Sequence, residues 1–258
     1  MDTTNNITKK QLEIIILVYR FRFLNRLQIQ KLLNQKQKNR INYWLKDLYD
    51  KKIIGRNYSK KFGDNIKPAV YFLKSKSKNY LIDQVEKDTK LTERIYGEKN
   101  RSQKFINHCL LSADFYLNLK KSPEDRQIYF YTKIDLLDHD YLPSSHPDAY
   151  VATKKNKRLK RYFFEIIDEG TPRFIIRAKI KQYLEYYSDN TWQEVTKHPF
   201  PKILILCPND LIKNYLHSFI PRIIVEEDQE EVDFYLSIKP SNRWVSALEE
   251  METAPEDN

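Results

Sequence analysis

Residues 39–58 read NRINYWLKDLYDKKIIGRNY, and their pattern decides the fold of the first third of the chain. Ile41, Trp44, Leu45 and Leu48 recur at the spacing of one helix face, so a helix is expected over residues 39–51. Its opposite face presents Lys38, Arg40, Asn42, Tyr43, Lys46 and Asp47. The apolar run Ile53–Tyr58 follows at once and has the composition of a strand.

Upstream, Thr8-Lys9-Lys10-Gln11 has the form of a capping box, in which hydroxyl and amide side chains satisfy orphan helix donors. The helix behind it is expected to bury Leu12, Ile15, Ile16 and Tyr19. Asn25 signals a second, short helix carrying Leu27, Ile29, Leu32 and Leu33, and QKQKN is the turn before the third. Downstream, SKKFGDNIKP joins Ile53–Tyr58 to a second run, Ala69–Leu73. Three helices followed by a basic-tipped hairpin make a winged helix-turn-helix over residues 1–82. Such a fold places its third helix in the major groove of duplex DNA and its wing on the backbone. Expected contacts are Arg26, Lys38, Arg40, Asn42, Tyr43 and Lys46, with Arg56, Lys60, Lys61 and Lys67 from the hairpin, where phosphate contacts position without reading sequence.

Charge agrees. The chain of 258 residues has net charge +10, but residues 1–82 hold 19 Lys/Arg against 5 Asp/Glu, or +14. The other 176 hold 26 against 30, or −4. A basic module of this kind is the electrostatic footprint of a polyanion binder. Four glycines argue against a glycine-rich nucleotide loop. Two cysteines, Cys109 and Cys207, form no metal or disulfide framework, and no apolar run has membrane-spanning length, so a cytoplasmic protein without membrane association is expected.

Residues 83–100 are read as a linker, 101–243 as an α/β domain and 244–258 as an acidic disordered tail. An amphipathic helix over 101–120 opens the α/β part. Strands at Ile128–Lys133, Ala149–Ala152 and Tyr162–Ile167 precede a helix from Pro172 to Tyr187. Ile203–Cys207, Asn209–Phe219 and Val232–Ile238 then read as strand, helix and strand, which makes a mixed sheet. Asp148 opens one strand and Glu165 lies in the next, so two carboxylates on neighbouring strands are positioned to hold Mg²⁺.

Pro147-Asp148 and Glu165 resemble the pattern of the PD-(D/E)XK nuclease fold, Pro-Asp, a gap, then acid-x-Lys. Ile167 stands where that pattern has its lysine. Lys179, one helical turn before Tyr183, is the candidate for a migrated ammonium group. With Tyr19–Leu24, Trp44–Leu48, Ile53–Arg56, Val70–Leu73, Asn107-His108, Pro147–Tyr150, Phe163–Thr171 and Lys179–Tyr183, the chain is similar to the replication-relaxation family of plasmids and other mobile elements. The resemblance implies a double-stranded-DNA-binding protein of replication, mobilisation or its transcriptional control. Its nuclease-like domain is expected to be inactive, to serve assembly as a homodimer and to need no cofactor. The alternatives are a Mg²⁺-dependent endonuclease or nickase using Asp148, Glu165 and Lys179, and a winged-helix adaptor that recruits a replication, transposition or mobilisation protein.

Overall fold

The computed structural model describes residues 7–58, 67–81, 90–121, 126–239 and 243–249. They form two compact units. The first comprises Met1–Glu124 with Tyr131–Asp138, the second Asp125–Phe130 with His139–Asn258.

In the first unit, α1 (Lys9–Phe21), α2 (Arg26–Leu32) and α3 (Lys38–Asp50) precede the strands β2 (Ile54–Asn57) and β3 (Val70–Leu73). A two-residue strand, β1 (Leu24–Asn25), pairs with the far side of β3, so the antiparallel sheet runs β1-β3-β2. Both helix starts are reciprocal capping boxes. Thr8 with Gln11 opens α1, and Asn25 with Gln28 opens α2. The buried stripe of α1 is Ile14, Ile15, Val18 and Tyr19, whereas Leu12 and Ile16, expected inside, are only half-buried. EIIILV is apolar nearly all round, and its packing against α3 and the sheet, not its periodicity, selects the inner face. Leu27, also expected inside, is exposed.

The stretch read as a linker is partly structured. Within it α4 (Leu91–Glu98) buries Leu91 and Ile95, and a 3₁₀ turn, Ser75–Tyr80, stands before it in the winged-helix stretch. Helix α5 (Gln103–Lys121), read from sequence as the opening of the α/β part, lies in the first unit. Its Ile106 and Cys109 join Phe23 and Phe72 in one core cluster. The buried Gln28 side chain donates to Leu110 O and to Asp114 Oδ1, at 2.8 Å each, tying α2 to α5.

The second unit is built on a six-stranded mixed sheet ordered β4 (Gln127–Thr132), β5 (Ala149–Lys155), β6 (Arg158–Ile166), β7 (Lys202–Cys207), β8 (Phe234–Ile238) and β9 (Val245–Ser246). Strands β5 and β6 are antiparallel, β6–β7–β8 are parallel, and β9 closes the edge antiparallel to β8. Helices α6 (Arg173–Ser188) and α8 (Asp210–Glu226) make the two parallel connections, with the short α7 (Thr191–Thr196) before β7. Phe163 anchors this core, its ring 5.3–5.8 Å from those of Tyr183, Trp192 and Phe200. Two expectations are corrected. Helix α8 runs past Phe219 and through Pro221, and the chain beyond Trp244 still pairs at Val245–Ser246 instead of starting a disordered tail. The β5–β6 pair is also longer than the two strands read from sequence, reaching Lys155 and Arg158.

A Cβ at Gly55 would lie 2.3 Å from Cζ of Phe72, so the ring packs directly on the backbone of β2. Gly55→Ala is expected to lower stability by roughly 1–3 kcal/mol through overpacking, read as a lower urea midpoint. An unchanged midpoint would contradict this packing.

Candidate functional site

Two constellations carry chemistry, one in each unit. The first is the outer face of α3. Ile41, Leu45 and Leu48 are buried at no more than 1% exposure, which fixes the helix by one side. Arg40 and Tyr43 point away from that side, Asn42 and Lys46 run along its flank one turn apart, Lys38 stands at the first turn, and all five are exposed. Tyr43 is 67% exposed, a large aromatic ring held in water at the centre of this face.

Asp47, placed on the same face from sequence, does something else. It accepts a hydrogen bond from Gln11 Nε2 at 2.6 Å and from Lys51 Nζ at 2.7 Å. Burial works to raise its pKa, but the hydrogen bonds from Lys51 and Gln11 leave it below the usual carboxylate value. The acid therefore ties α3 to α1 and has its charge compensated. The first turn of α3 contains no acidic residue, and its N-cap, Gln37, makes no side-chain cap. Lys38 and Arg40 thus stand at the positive end of the helix dipole, where cations are unfavourable and an anion is favoured.

Around this face the expected contacts divide. Arg26 is half-buried and donates to Gln30 Oε1 at 3.2 Å. Arg56 is exposed, with its guanidinium 4.8 Å from the Tyr49 ring centroid and hydrogen-bonded to Tyr71. Lys67 is exposed just before β3. Lys60 and Lys61 lie outside the described residues.

The second constellation joins β5, β6 and α6. Ala149 pairs with Phe164, which sets Asp148 beside Glu165 at the mouth of the hairpin. Asp148 Oδ2 accepts the Ile166 N–H at 2.9 Å. Glu165 is 2% exposed, and its Oε1 takes both the Tyr183 hydroxyl, at 2.5 Å, and the Lys179 ammonium, at 3.1 Å. Lys179 also donates to Ser145 Oγ at 3.0 Å. Tyr183 sits one turn beyond Lys179 on α6, so the i, i+4 spacing delivers both groups to one carboxylate. Burial first, and the neighbouring Asp148 charge second, push Glu165 up to about 7 despite Lys179 and Tyr183. Sequence had paired Asp148, Glu165 and Lys179; the role of Ser145 carried no signal there.

Two carboxylates brought together by adjacent strands suit Mg²⁺, which is commonly held by one or two acids and water. Here, however, the Lys179 ammonium already lies against one Glu165 oxygen. Among the described residues no group of three or more His, Cys, Asp or Glu is placed to hold a metal. No helix among them is long and apolar enough to cross a membrane.

The architecture is therefore that of a winged helix-turn-helix joined to an α/β unit with a mixed six-stranded sheet. The replication-relaxation family model matches residues 16–202, and the chain belongs to that family. That membership gives it a DNA-related role in replication. A comparison with curated protein sequences returns no match. Among solved structures, a mutant of Lactococcus lactis ZitR aligns with TM-score 0.27 and 15% identity over 48% of this chain and 80% of that one. The restriction endonuclease FokI bound to DNA aligns with TM-score 0.32 and 14% identity over 90% of this chain and 44% of that one. The fold assignment rests on topology and register, not on these alignments.

Because Glu165 keeps its proton in the folded state to about pH 7 against an ordinary value of 4.5, folding stability declines as pH rises through that window. Above it the loss is complete. Glu165→Gln removes the titration, so its urea midpoint is expected to vary less between pH 4.5 and 7 than that of the wild type. A wild-type midpoint already flat across that range would contradict the assignment.

Proposed function

We propose that this chain is a double-stranded-DNA-binding protein of a plasmid or other mobile element, acting in replication, mobilisation or its transcriptional control. It docks through the outer face of α3, with the β2–β3 wing on the flanking backbone. One observation carries the reading. Lys38, Arg40, Asn42, Tyr43 and Lys46 are exposed together on a helix whose opposite side is fully buried, with cations at the end of the helix that itself attracts anions. Phosphates satisfy both the side chains and the helix terminus. The nuclease-like unit serves assembly as a homodimer, which matches half-site recognition by paired winged helices, and it needs no cofactor. In this reading the Lys179 ammonium takes the place of a metal against Glu165.

A second reading, metal-dependent DNA cleavage or nicking, is favoured by the convergence of Asp148, Glu165, Lys179 and Tyr183. Asp148 and Glu165 would hold Mg²⁺, which would supply Lewis acidity, while Lys179 would hold charge near the attacked phosphate.

Arg40→Ala combined with Lys46→Ala is expected to weaken binding of the full chain to duplex DNA by roughly tenfold or more. The log–log salt slope should fall by about 0.9 for each phosphate contact removed. Unchanged affinity would refute the docking assignment. Incubated with supercoiled plasmid and Mg²⁺ or Mn²⁺, the protein should leave the plasmid supercoiled. Nicking that Asp148→Ala abolishes would replace the first reading with the second.

A further inference from the structure

The β5–β6 hairpin presents a concentration of charge that the winged helix does not account for. From Thr153 to Arg161 the sequence is TKKNKRLKR, with six Lys or Arg residues and no acid. Strands β5 and β6 remain paired throughout, Thr153 with Lys160, Lys154 with Leu159 and Lys155 with Arg158, around a turn in which Asn156 has φ 54°. Strand β7 begins only at Lys202, opposite Tyr162, so this end of β6 extends beyond the pairing that β7 provides. Every residue from Lys154 to Lys160 is exposed.

Directly paired residues share a face, so Lys155, Arg158 and Lys160 lie together on one side of the ribbon. Like charges opposite one another destabilise a hairpin, and a surface selected only for solubility intersperses its signs. A ribbon that keeps six cations without an acid is built for an anionic partner. Cations two residues apart on one strand are about 6.7 Å apart, the same scale as the spacing of phosphates on a duplex, which advance about 3.4 Å along the helix axis per step of one strand. A two-stranded ribbon also has the cross-section that the major groove admits.

We infer that the ribbon Thr153–Arg161 is a second DNA-contacting element, one that holds duplex phosphates through Lys155, Arg158 and Lys160. The inference rests on the proposal that the chain binds duplex DNA, but not on α3 being the other contact. A duplex is favoured over an anionic membrane because Leu159 is the one large apolar side chain on this ribbon, and it is 40% exposed without an aromatic neighbour on the tip.

The test uses the full chain with Lys155→Gln, Arg158→Gln and Lys160→Gln combined, beside Arg40→Ala with Lys46→Ala, on a duplex of about 40 base pairs over a range of salt. The ribbon variant is expected to lose affinity at least tenfold, with a salt slope lower by up to about 2.7, since each phosphate contact contributes about 0.9. A Lys155→Arg, Lys160→Arg protein should bind as the wild type. An unchanged thermal melting curve for the ribbon variant confirms that the loss is not unfolding. Wild-type affinity and slope in the ribbon variant would overturn the inference, whether or not the variant gains the self-association that edge lysines prevent. If only the ribbon variant loses binding, the inference stands and the assignment to α3 falls; if only the α3 variant does, the reverse holds. Wild-type protein that binds no duplex sinks both. Loss of binding to phosphatidylserine vesicles with duplex binding intact would assign the ribbon to membranes instead.

Discussion

The burial of one side of α3 is the constraint on which the first unit depends. Ile41, Leu45 and Leu48 leave water completely, and each such side chain contributes about 1.5–3 kcal/mol. With the helix held that way, its rotation is set, and the polar residues between those three have nowhere to point but outward. The Gln11–Asp47–Lys51 hydrogen bonds add a polar lock on the same rotation. Asp47 thereby orients the helix while its own charge stays compensated.

The same economy of local geometry shapes the second unit. Antiparallel pairing sets Asp148 beside Glu165, and an i, i+4 step along α6 brings Lys179 and Tyr183 to the same carboxylate. Burial of Glu165 then makes a proton or a cation necessary. Lys179 and the Tyr183 hydroxyl meet part of that need.

Legibility followed locality. The capping box at Thr8, the helix start at Asn25, the α3 stripe and the order of the main strands and helices were readable because each depends on residues within a turn or a strand of one another. The inner face of α1 was not, since EIIILV offers apolar side chains in every direction and tertiary packing makes the choice. Helix α4 was hidden by its polar composition, with only Leu91 and Ile95 to mark it. The place of α5 in the first unit depends on contacts such as Gln28 with Asp114, eighty-six residues apart, which no local pattern encodes. As for the acidic site, strand adjacency and helical spacing pointed to Asp148, Glu165 and Lys179, whereas the Ser145 contact comes from a loop.

The basic ribbon shows how a net charge misleads. Six acids between Glu226 and Asp233 offset six bases between Lys154 and Arg161, so the second part of the sequence sums to slightly negative while holding a cationic hairpin. Nor does TKKNKRLKR alternate in hydropathy, because both faces of the ribbon's end are in water. The central claim, that the outer face of α3 lies on duplex DNA, is tested most directly by photocrosslinking. Benzoylphenylalanine in place of Tyr43 should become covalently joined to a bound duplex on irradiation, while the same group in place of the equally exposed Tyr96 should not. A crosslink from position 96 with none from position 43 would contradict the account.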